Sequence, residues 1–281
     1  MNFRTVLLSG GAGSLGTELV RVLLAETEST IRILDNSEYA MHTLRERFID
    51  QEKRLRFTFG DVRDLERLRM AVEGCDAVYH LAAMKHIWIG ERNPQEVYAT
   101  NVQGTQNVIQ ACLDEYDVRV CMFCSTDKAV YPSSFYGKSK AMGEELVLKA
   151  NNIKGDRITA FSVYRPMNFF MSRGNVVEKW MNQTVDGQPL TLVPGMKRHF
   201  IGVGKAAELL HIASTRSLGG EIWVPKGKEY GVDELAELFG GEIKEVPPTL
   251  GEKLTEALWT DVEARFLRDE GEMWCIRRPT L

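Results

Sequence analysis

Short apolar runs and amphipathic stretches take turns along the first half of the chain. Thr5 to Ser9 has the pattern of an apolar strand. After Gly10-Gly11-Ala12-Gly13-Ser14-Leu15-Gly16 the spacing becomes helical, with Leu15, Leu19, Val22 and Leu23 on one side. Ile31 to Leu34 predicts the next strand and 37–48 a helix. Arg56 to Phe59 predicts a third strand, ended by Gly60-Asp61-Val62-Arg63-Asp64, where Asp64 is placed to cap a helix running through Val72. A fourth strand, Ala77 to Leu81, precedes a long helix from Pro94 to Asp114, with Val97, Val102, Val108 and Cys112 on its apolar side and Asn101 as a polar interruption. Val118 to Cys124 reads as a buried strand, Ser139 to Ala150 as a helix, and Arg157 to Tyr164 as a further strand. This alternation predicts an α/β fold, a Rossmann-like doubly wound parallel sheet. From Arg165 the spacing turns irregular, which predicts that 166–281 is mainly a smaller C-terminal substrate-binding lobe. Residues 1–165 form the first domain, with 197–215 packing back onto it.

The first turn carries chemistry. Strand, glycine turn and helix in that order place backbone N–H groups and a helix N-terminus against a pyrophosphate, so residues 1–165 read as an NAD(P)-binding domain. The glycines fit two registers, Gly-x-Gly-x-x-Gly from Gly11 and Gly-x-x-Gly-x-x-Gly from Gly10, with the same loop in either case. Asp35 ends the second strand about twenty residues after Gly16, where a carboxylate accepts hydrogen bonds from an adenosine ribose. A carboxylate there repels a 2′-phosphate and no arginine follows directly, so NAD is favoured over NADP; Asn36, Ser37 or the more distant Arg45 could still adjust the pocket. The plainer reading of Asp35 is a cap for the helix after it. Ala82 and Ala83 are small enough for a flat ligand to approach, and Lys85 and His86 could face phosphate or sugar, although such a pair on a loop is usually just solvated.

The run Ser125-Thr126-Asp127-Lys128, through Tyr136 to Lys140, sits where a strand's carboxyl end meets a helix, the place at which open α/β sheets bind ligands. Tyr136 and Lys140 are one helical turn apart, and an ammonium beside a phenol lowers the phenol's pKa toward a range useful for proton transfer. By itself that spacing is common, and a surface helix with a boundary tyrosine explains it better. Asp127 and Lys128 add a carboxyl group and an amine at the strand tip, an acid/base pair.

A chain of 281 residues with 44% apolar content can bury a sizeable core. Its formal charge of −4 argues against coating nucleic acid or an anionic membrane. No apolar run is long enough to span a bilayer, and Met1 to Ser9 begins a strand too early for a signal peptide, so a cytoplasmic protein is expected. Of the five cysteines, Cys121 and Cys124 lie three apart in one strand and point to opposite faces, which makes them core packing. His42, His80, His86, His199 and His211 show no zinc-ligand spacing, and no metal is expected.

Gly10-x-x-Gly13-x-x-Gly16, Asp61-Val62, His80-Leu81-Ala82-Ala83 and Tyr136-x-x-x-Lys140 resemble the motifs of extended short-chain dehydrogenase/reductases acting on nucleotide sugars. Ala83-Met84-Lys85-His86, Asn93-Pro94 and Ser125-Thr126-Asp127-Lys128-Ala129-Val130 are similar to the inverting UDP-N-acetylglucosamine 4,6-dehydratases of the polysaccharide-biosynthesis group. The similarity runs on through Ser172-Arg173-Gly174-Asn175-Val176 and Gly251-Glu252-Lys253-Leu254, nearly the whole chain. The resemblance implies a tightly bound, recycled NAD or NADP held by Gly10, Gly13, Ser14, Leu15, Gly16, Asp35, Asn36, Asp61, Val62, Leu81, Ala82, Ala83, Asn101, Tyr136 and Lys140. It implies catalysis by Thr126, Asp127, Lys128, Tyr136 and Lys140. Tyr136 takes the proton of the sugar C4 hydroxyl, with Thr126 bonded to the same oxygen. Lys128 removes the C5 proton, Asp127 helps expel the C6 hydroxyl as water, and C5 is inverted. A UDP-sugar would meet Lys85, His86, Asn168, Arg173, Arg198 and Glu252, and a homodimer or larger assembly would form through 94–114 and 136–150.

Three departures qualify the resemblance. The family's Arg-Tyr-Gly-Asn-Val is here Arg165-Pro166-Met167-Asn168-Phe169, and with Phe170 and Met171 it predicts a bulkier, more apolar sugar wall. Arg198-His199-Phe200 stands for Arg-Phe-Phe; Arg198 reads equally as a nucleotide contact or a surface arginine. Thr249-Leu250-Gly251-Glu252-Lys253 lacks the family's arginine, which weakens UDP as the carrier. The charged run Glu263 to Glu272 is expected to be solvated surface. The competing functions are a nucleotide-sugar epimerase with the same cofactor cycle and a non-catalytic NAD(P)-sensing protein.

Overall fold

A computed structural model describes residues 3–170, 172 and 174–277. In chain order the elements are β1 (Thr5–Ser9), α1 (Ser14–Glu26), β2 (Thr30–Asp35), α2 (Glu38–Arg47), β3 (Leu55–Phe59), α3 (Leu65–Val72), β4 (Ala77–His80), α4 (Ile87–Arg92), α5 (Pro94–Tyr98), α6 (Gly104–Asp114), β5 (Val120–Cys124), α7 (Phe135–Ile153) and β6 (Ala160–Tyr164). The second half adds β7 (Asn168–Phe170), α8 (Val176–Val185), β8 (Leu190–Leu192), β9 (Lys197–Gly202), α9 (Val203–Arg216), β10 (Glu221–Pro225), β11 (Lys228–Gly231), α10 (Val232–Phe239), β12 (Ile243–Glu245), β13 (Leu267–Asp269) and β14 (Met273–Arg277).

Nine strands form one sheet in the order β13-β14-β10-β6-β5-β4-β1-β2-β3. It is parallel from β3 across to β10, and β14 and β13 close the far edge antiparallel. The central strands are apolar on both faces because helices cover both: Val6, Leu7 and Leu8 of β1 are all fully buried. One layer, built around α1, α2 and α9, packs Leu19, Leu23, Met41 and Leu210 against the sheet. The other, built around α3, α6 and α7, packs Leu68, Val108, Cys112 and Val147. Cys121 belongs to the second layer while Cys124 packs against the first, as opposite faces of one strand require. The fold is the doubly wound α/β sheet, with chain order reversing between β1 and β4.

Two boundaries differ from the sequence expectation. Residues 94–114 run as one helical stretch, but Ala99–Gln103 form a π-turn around Asn101. The segment 166–281 does not stay in the lobe. Helix α9 lies against α1, and β10, β13 and β14 extend the parallel sheet, so the first domain takes back 203–225 and 267–277. What remains is a lobe of α8, α10, the β7-β9-β11 sheet and the β8-β12 pair, with its own core around Trp180, Leu190, Phe200 and Leu235. Among the described residues no helix is long and apolar enough to cross a membrane.

Candidate active site

The expected cofactor residues meet along the carboxyl edge of β3-β2-β1-β4. Gly10 has φ +70°, and a Cβ there would lie 2.6 Å from the backbone of Ala82, so only glycine lets the β1 turn pass the β4 turn. Gly11 and Gly16 are packed equally tightly, whereas a Cβ on Gly13 would meet only Gly10 O, at 3.3 Å. Gly13 is also the N-cap of α1 and no side chain caps that helix, which leaves its first turn to an anionic ligand. Asp35 accepts from Ala12 N at 3.0 Å and from Ser37 N at 3.0 Å, pinning the β2 carboxylate beside the glycine turn. The cap of α2 is Ser37, which accepts from Ala40 N, so Asp35 is not spent as a cap. Asn36 donates to Asp61 at 3.0 Å; Arg63 holds the Asp61 carboxyl below its ordinary range. Arg45 is paired with Glu52 and Glu46. Val62 packs under Gly104, and Leu81 N bonds Ser9 O at 2.8 Å.

Asn101 works through its neighbours. Its amide donates to Met84 O and Ser139 Oγ, both at 2.9 Å, and accepts from Met84 N at 2.8 Å. It therefore ties the loop after β4 to α7, and both of its N–H groups are used in doing so.

Helix α7 begins at Phe135, earlier than the spacing predicts, because Ser134 accepts from Gly137 N and Glu91 of α4 accepts from Phe135 N at 2.6 Å. Tyr136 thus falls in its first turn and Lys140 one turn on, both nearly fully buried. Burial, then the Cys124 thiol, push the phenol of Tyr136 above its ordinary pKa, against a hydrogen bond with Thr126 that opposes the shift. The expected lowering by Lys140 is not found: its ammonium lies 4.1 Å from the centre of the Phe123 ring, and burial pulls Lys140 itself down to about 8.

At the tip of β5 four residues form one polar cluster. Thr126 Oγ1 donates to Asp127 Oδ1 at 2.9 Å, and Lys128 Nζ donates to the same oxygen at 3.0 Å and to Asn168 Oδ1 at 3.1 Å. Asn168 Nδ2 donates back to Asp127 Oδ2 at 3.3 Å. Asp127 is wholly buried, while the side chain of Lys128 keeps 18% exposure and so faces the open side. Ser125 Oγ is buried with no hydrogen-bond partner, an orphan at the strand tip that a bound molecule would satisfy. That orphan, the uncapped α1 and the glycine cradle fit a dinucleotide.

Other expectations fare differently. His86 heads α4 against Gly174 and Glu178 of the lobe, with its pKa lowered first by burial and then by Lys85. Arg198 is not a surface arginine: it is 7% exposed and donates to Lys197 O, Leu254 O and Lys253 O. Glu252 closes its own turn on Thr249 N at 2.8 Å. Arg173 and Met171 lie outside the described residues. The apolar wall is also redistributed: Met167 enters the main core, Phe169 packs against it, and Phe170 stacks on Phe200 at 4.5 Å in the lobe. Glu263 is not solvated, because Arg165 clamps it and Glu144 in a buried triad at 2.6–3.1 Å, a long-range pairing with no local signal; the rest of 263–272 is largely exposed. Among the described residues no His, Cys, Asp or Glu group gathers to hold a metal ion.

A glycine turn feeding an uncapped helix, with Tyr136 and Lys140 on the helix after β5, defines an extended short-chain dehydrogenase/reductase. The chain belongs to the polysaccharide biosynthesis protein family, whose sequence profile matches residues 6–277. It is 39% identical to an uncharacterized membrane protein of Methanocaldococcus jannaschii, over 97% of this chain and 85% of the relative. It is 36% identical to an inverting UDP-N-acetylglucosamine 4,6-dehydratase of Campylobacter jejuni, over 92% and 78%, and 31% identical to a UDP-glucose 4-epimerase of Rickettsia felis, over 97% and 82%. Among solved structures, Pen from Bacillus thuringiensis superposes with a TM-score of 0.95 at 32% identity, covering 99% of this chain and 89% of that one. The dTDP-glucose 4,6-dehydratase DesIV of Streptomyces venezuelae, with NAD and TYD bound, gives 0.82 at 25% identity, covering 93% and 90%.

Proposed function

We propose that the protein is a nucleotide-sugar 4,6-dehydratase acting on UDP-N-acetylglucosamine with inversion at C5, giving a 4-keto-6-deoxy sugar nucleotide for glycan synthesis. The observation that carries this reading is the Thr126–Asp127–Lys128–Asn168 cluster beside Tyr136, which sets a carboxyl group and an amine within one hydrogen bond of each other at the strand tip. NAD is the favoured cofactor: Asp35 is held beside the glycine turn, where a carboxylate suits an adenosine ribose and repels a 2′-phosphate, and Arg45 is paired with two glutamates. Bound at this edge, it supplies a hydride acceptor for the sugar C4 and returns the hydride within each turnover. Tyr136 would take the C4 hydroxyl proton as its phenolate, which requires a bound, positively charged nicotinamide to bring its burial-raised phenol down. The 4-ketone then acidifies the C5 hydrogen; with the proton of the pair on Asp127, Lys128 as the neutral amine removes it and Asp127 as the acid protonates the departing C6 hydroxyl, after which C6 takes back the hydride and C5 takes a proton on the opposite face. Asn168 keeps the amine and carboxyl in register. The similarity to enzymes of UDP-sugars supports a UDP-sugar substrate, and a cytoplasmic location is part of this proposal. A homodimer through α5, α6 and α7 is supported by the exposed Tyr98 and Met142.

The second reading is a nucleotide-sugar 4-epimerase. The Asp127–Lys128 pair speaks against it; what favours it is the 31% identity to a UDP-glucose 4-epimerase together with the altered Pro166-Met167 segment. Purified protein incubated with UDP-N-acetylglucosamine in deuterated water separates the two. Loss of one water by mass spectrometry, with deuterium at C5 by proton NMR, supports the dehydratase; an unchanged mass with a new C4 epimer supports the epimerase. Lys128→Ala is expected to slow water loss about 10²- to 10⁴-fold, the range of a general base. A variant that dehydrates at the normal rate removes Lys128 from the reaction.

A further inference from the structure

The loop joining Asp127-Lys128 to the helix of Tyr136 is fastened by a segment 118 to 130 residues later. Lys253 Nζ donates to Val130 O at 2.8 Å and Tyr131 O at 3.2 Å. The Tyr131 hydroxyl donates to Asp261 Oδ2 at 3.0 Å and accepts from Asp261 N at 2.9 Å. Ser133 Oγ donates to Gly251 O at 2.7 Å.

The fastened residue is strained. Tyr131 has φ 45°, the one positive φ outside glycine among the described residues. The left-handed region brings the Cβ of an L-residue too close to the following carbonyl oxygen, and a bulky side chain rarely adopts it. The following Pro132 bars the right-handed helical region, so the loop cannot relax into one more turn of helix. Such a conformation persists only where its surroundings impose it. Here they do so from two sides, with an ammonium on the carbonyls and a carboxylate on the phenol. The fastening is itself anchored, since Arg198 holds the carbonyls of Lys253 and Leu254, and Glu256 pairs with Lys253. Arg198 lies on β9, whose neighbour β7 carries Asn168 to Lys128.

We propose that Lys253 and Asp261 are positioning residues that hold Tyr131 in its left-handed conformation and thereby fix the separation of the Asp127–Lys128 pair from Tyr136. The two ends of the loop have different tasks under the dehydratase reading, on which the kinetic part of this inference rests. The Tyr136 end oxidises C4, and the Asp127–Lys128 end eliminates water. Loosening the loop leaves the first step more intact than the second, because a misplacement of about 1 Å costs on the order of 10²-fold in rate.

The test uses the full-length protein with its cofactor, in the variants Lys253→Met and Asp261→Ala. The second replaces an exposed side chain and leaves the fold intact. Amide hydrogen exchange over 128–135, read by mass spectrometry, is expected to accelerate at least about tenfold in both, while Tm stays near wild type. This readout does not depend on which sugar is turned over. With substrate, kcat is expected to fall at least about tenfold and KM by less than about threefold, with absorbance of reduced cofactor building up during turnover. Tyr131→Asn, a residue that tolerates the left-handed region, is expected to recover part of the loss in the Lys253→Met background. Unchanged exchange over 128–135 in Asp261→Ala overturns the proposal, as does a loss of kcat with no build-up of reduced cofactor. A wild-type protein inert toward nucleotide sugars overturns the dehydratase reading and leaves the exchange result standing.

Discussion

Lys140 is a cation placed where the fold does not want one. Its pKa is down to about 8 from 10.5, mainly through burial. Below pH 8 the side chain is charged in both the folded and the unfolded chain, and the full burial cost is carried. Between pH 8 and 10.5 the folded protein sheds the proton first, so this group's contribution to stability improves as pH rises. The shift corresponds to a cost on the order of 3 kcal/mol at neutral pH. Lys140→Met is therefore expected to raise Tm at pH 7, to lose that advantage by pH 11, and to be inactive; thermal melts across pH decide it. Gly10→Ala is expected to do the reverse. A methyl 2.6 Å from the Ala82 backbone forces the cofactor edge apart, so the purified variant should lack nicotinamide absorbance and melt lower than wild type.

At the scale of elements, helix α7 depends on how it starts. Ser134 and Glu91 satisfy its first amides, and that start sets where Tyr136 stands. Ser134→Ala is expected to cost about 1 kcal/mol of stability, seen as a lower denaturant midpoint with unchanged slope. The strands, their order of appearance and the glycine turn were legible because buried parallel strands and phosphate turns write themselves locally, in runs such as Thr5 to Gly16. Asn101 was visible as a polar break in an apolar stripe, and the π-turn gives the break its reason. The start of α7 lies earlier than its spacing predicts because one of its caps, Glu91, comes from another helix. The second half is less legible for the same kind of reason. Met167, Phe169 and Phe170 look like a sugar wall in sequence, but alternation along β7 and its flank sends them into two separate cores.

For the whole molecule, the decisive pairing is the one the sequence hid most completely. Arg165 on the end of β6 binds Glu144 on α7 and Glu263 near the C-terminal strands, all three nearly fully buried. Its charge is held firmly by the two carboxylates. Arg165→Met leaves two buried carboxylates facing each other and is expected to cost about 3–5 kcal/mol. Replacing all three by apolar residues of similar size should recover most of that loss, and comparing the two melts separates charge from packing.

The way the sheet is completed also bears on how the protein is made. β10 adds to β6, β14 to β10 and β13 to β14, while α9 covers the face that α1 begins. A ribosome that has delivered residues 1–165 has released every cofactor contact proposed here, yet the apolar face under α9 stays uncovered until residue 216 has emerged, and the edge of β6 stays unpaired until β10 is complete at residue 225. Chains normally gather domain by domain during synthesis. Here the proposed cofactor contacts are complete before the sheet is, and until β10 is made the nascent chain carries the unpaired edge of β6.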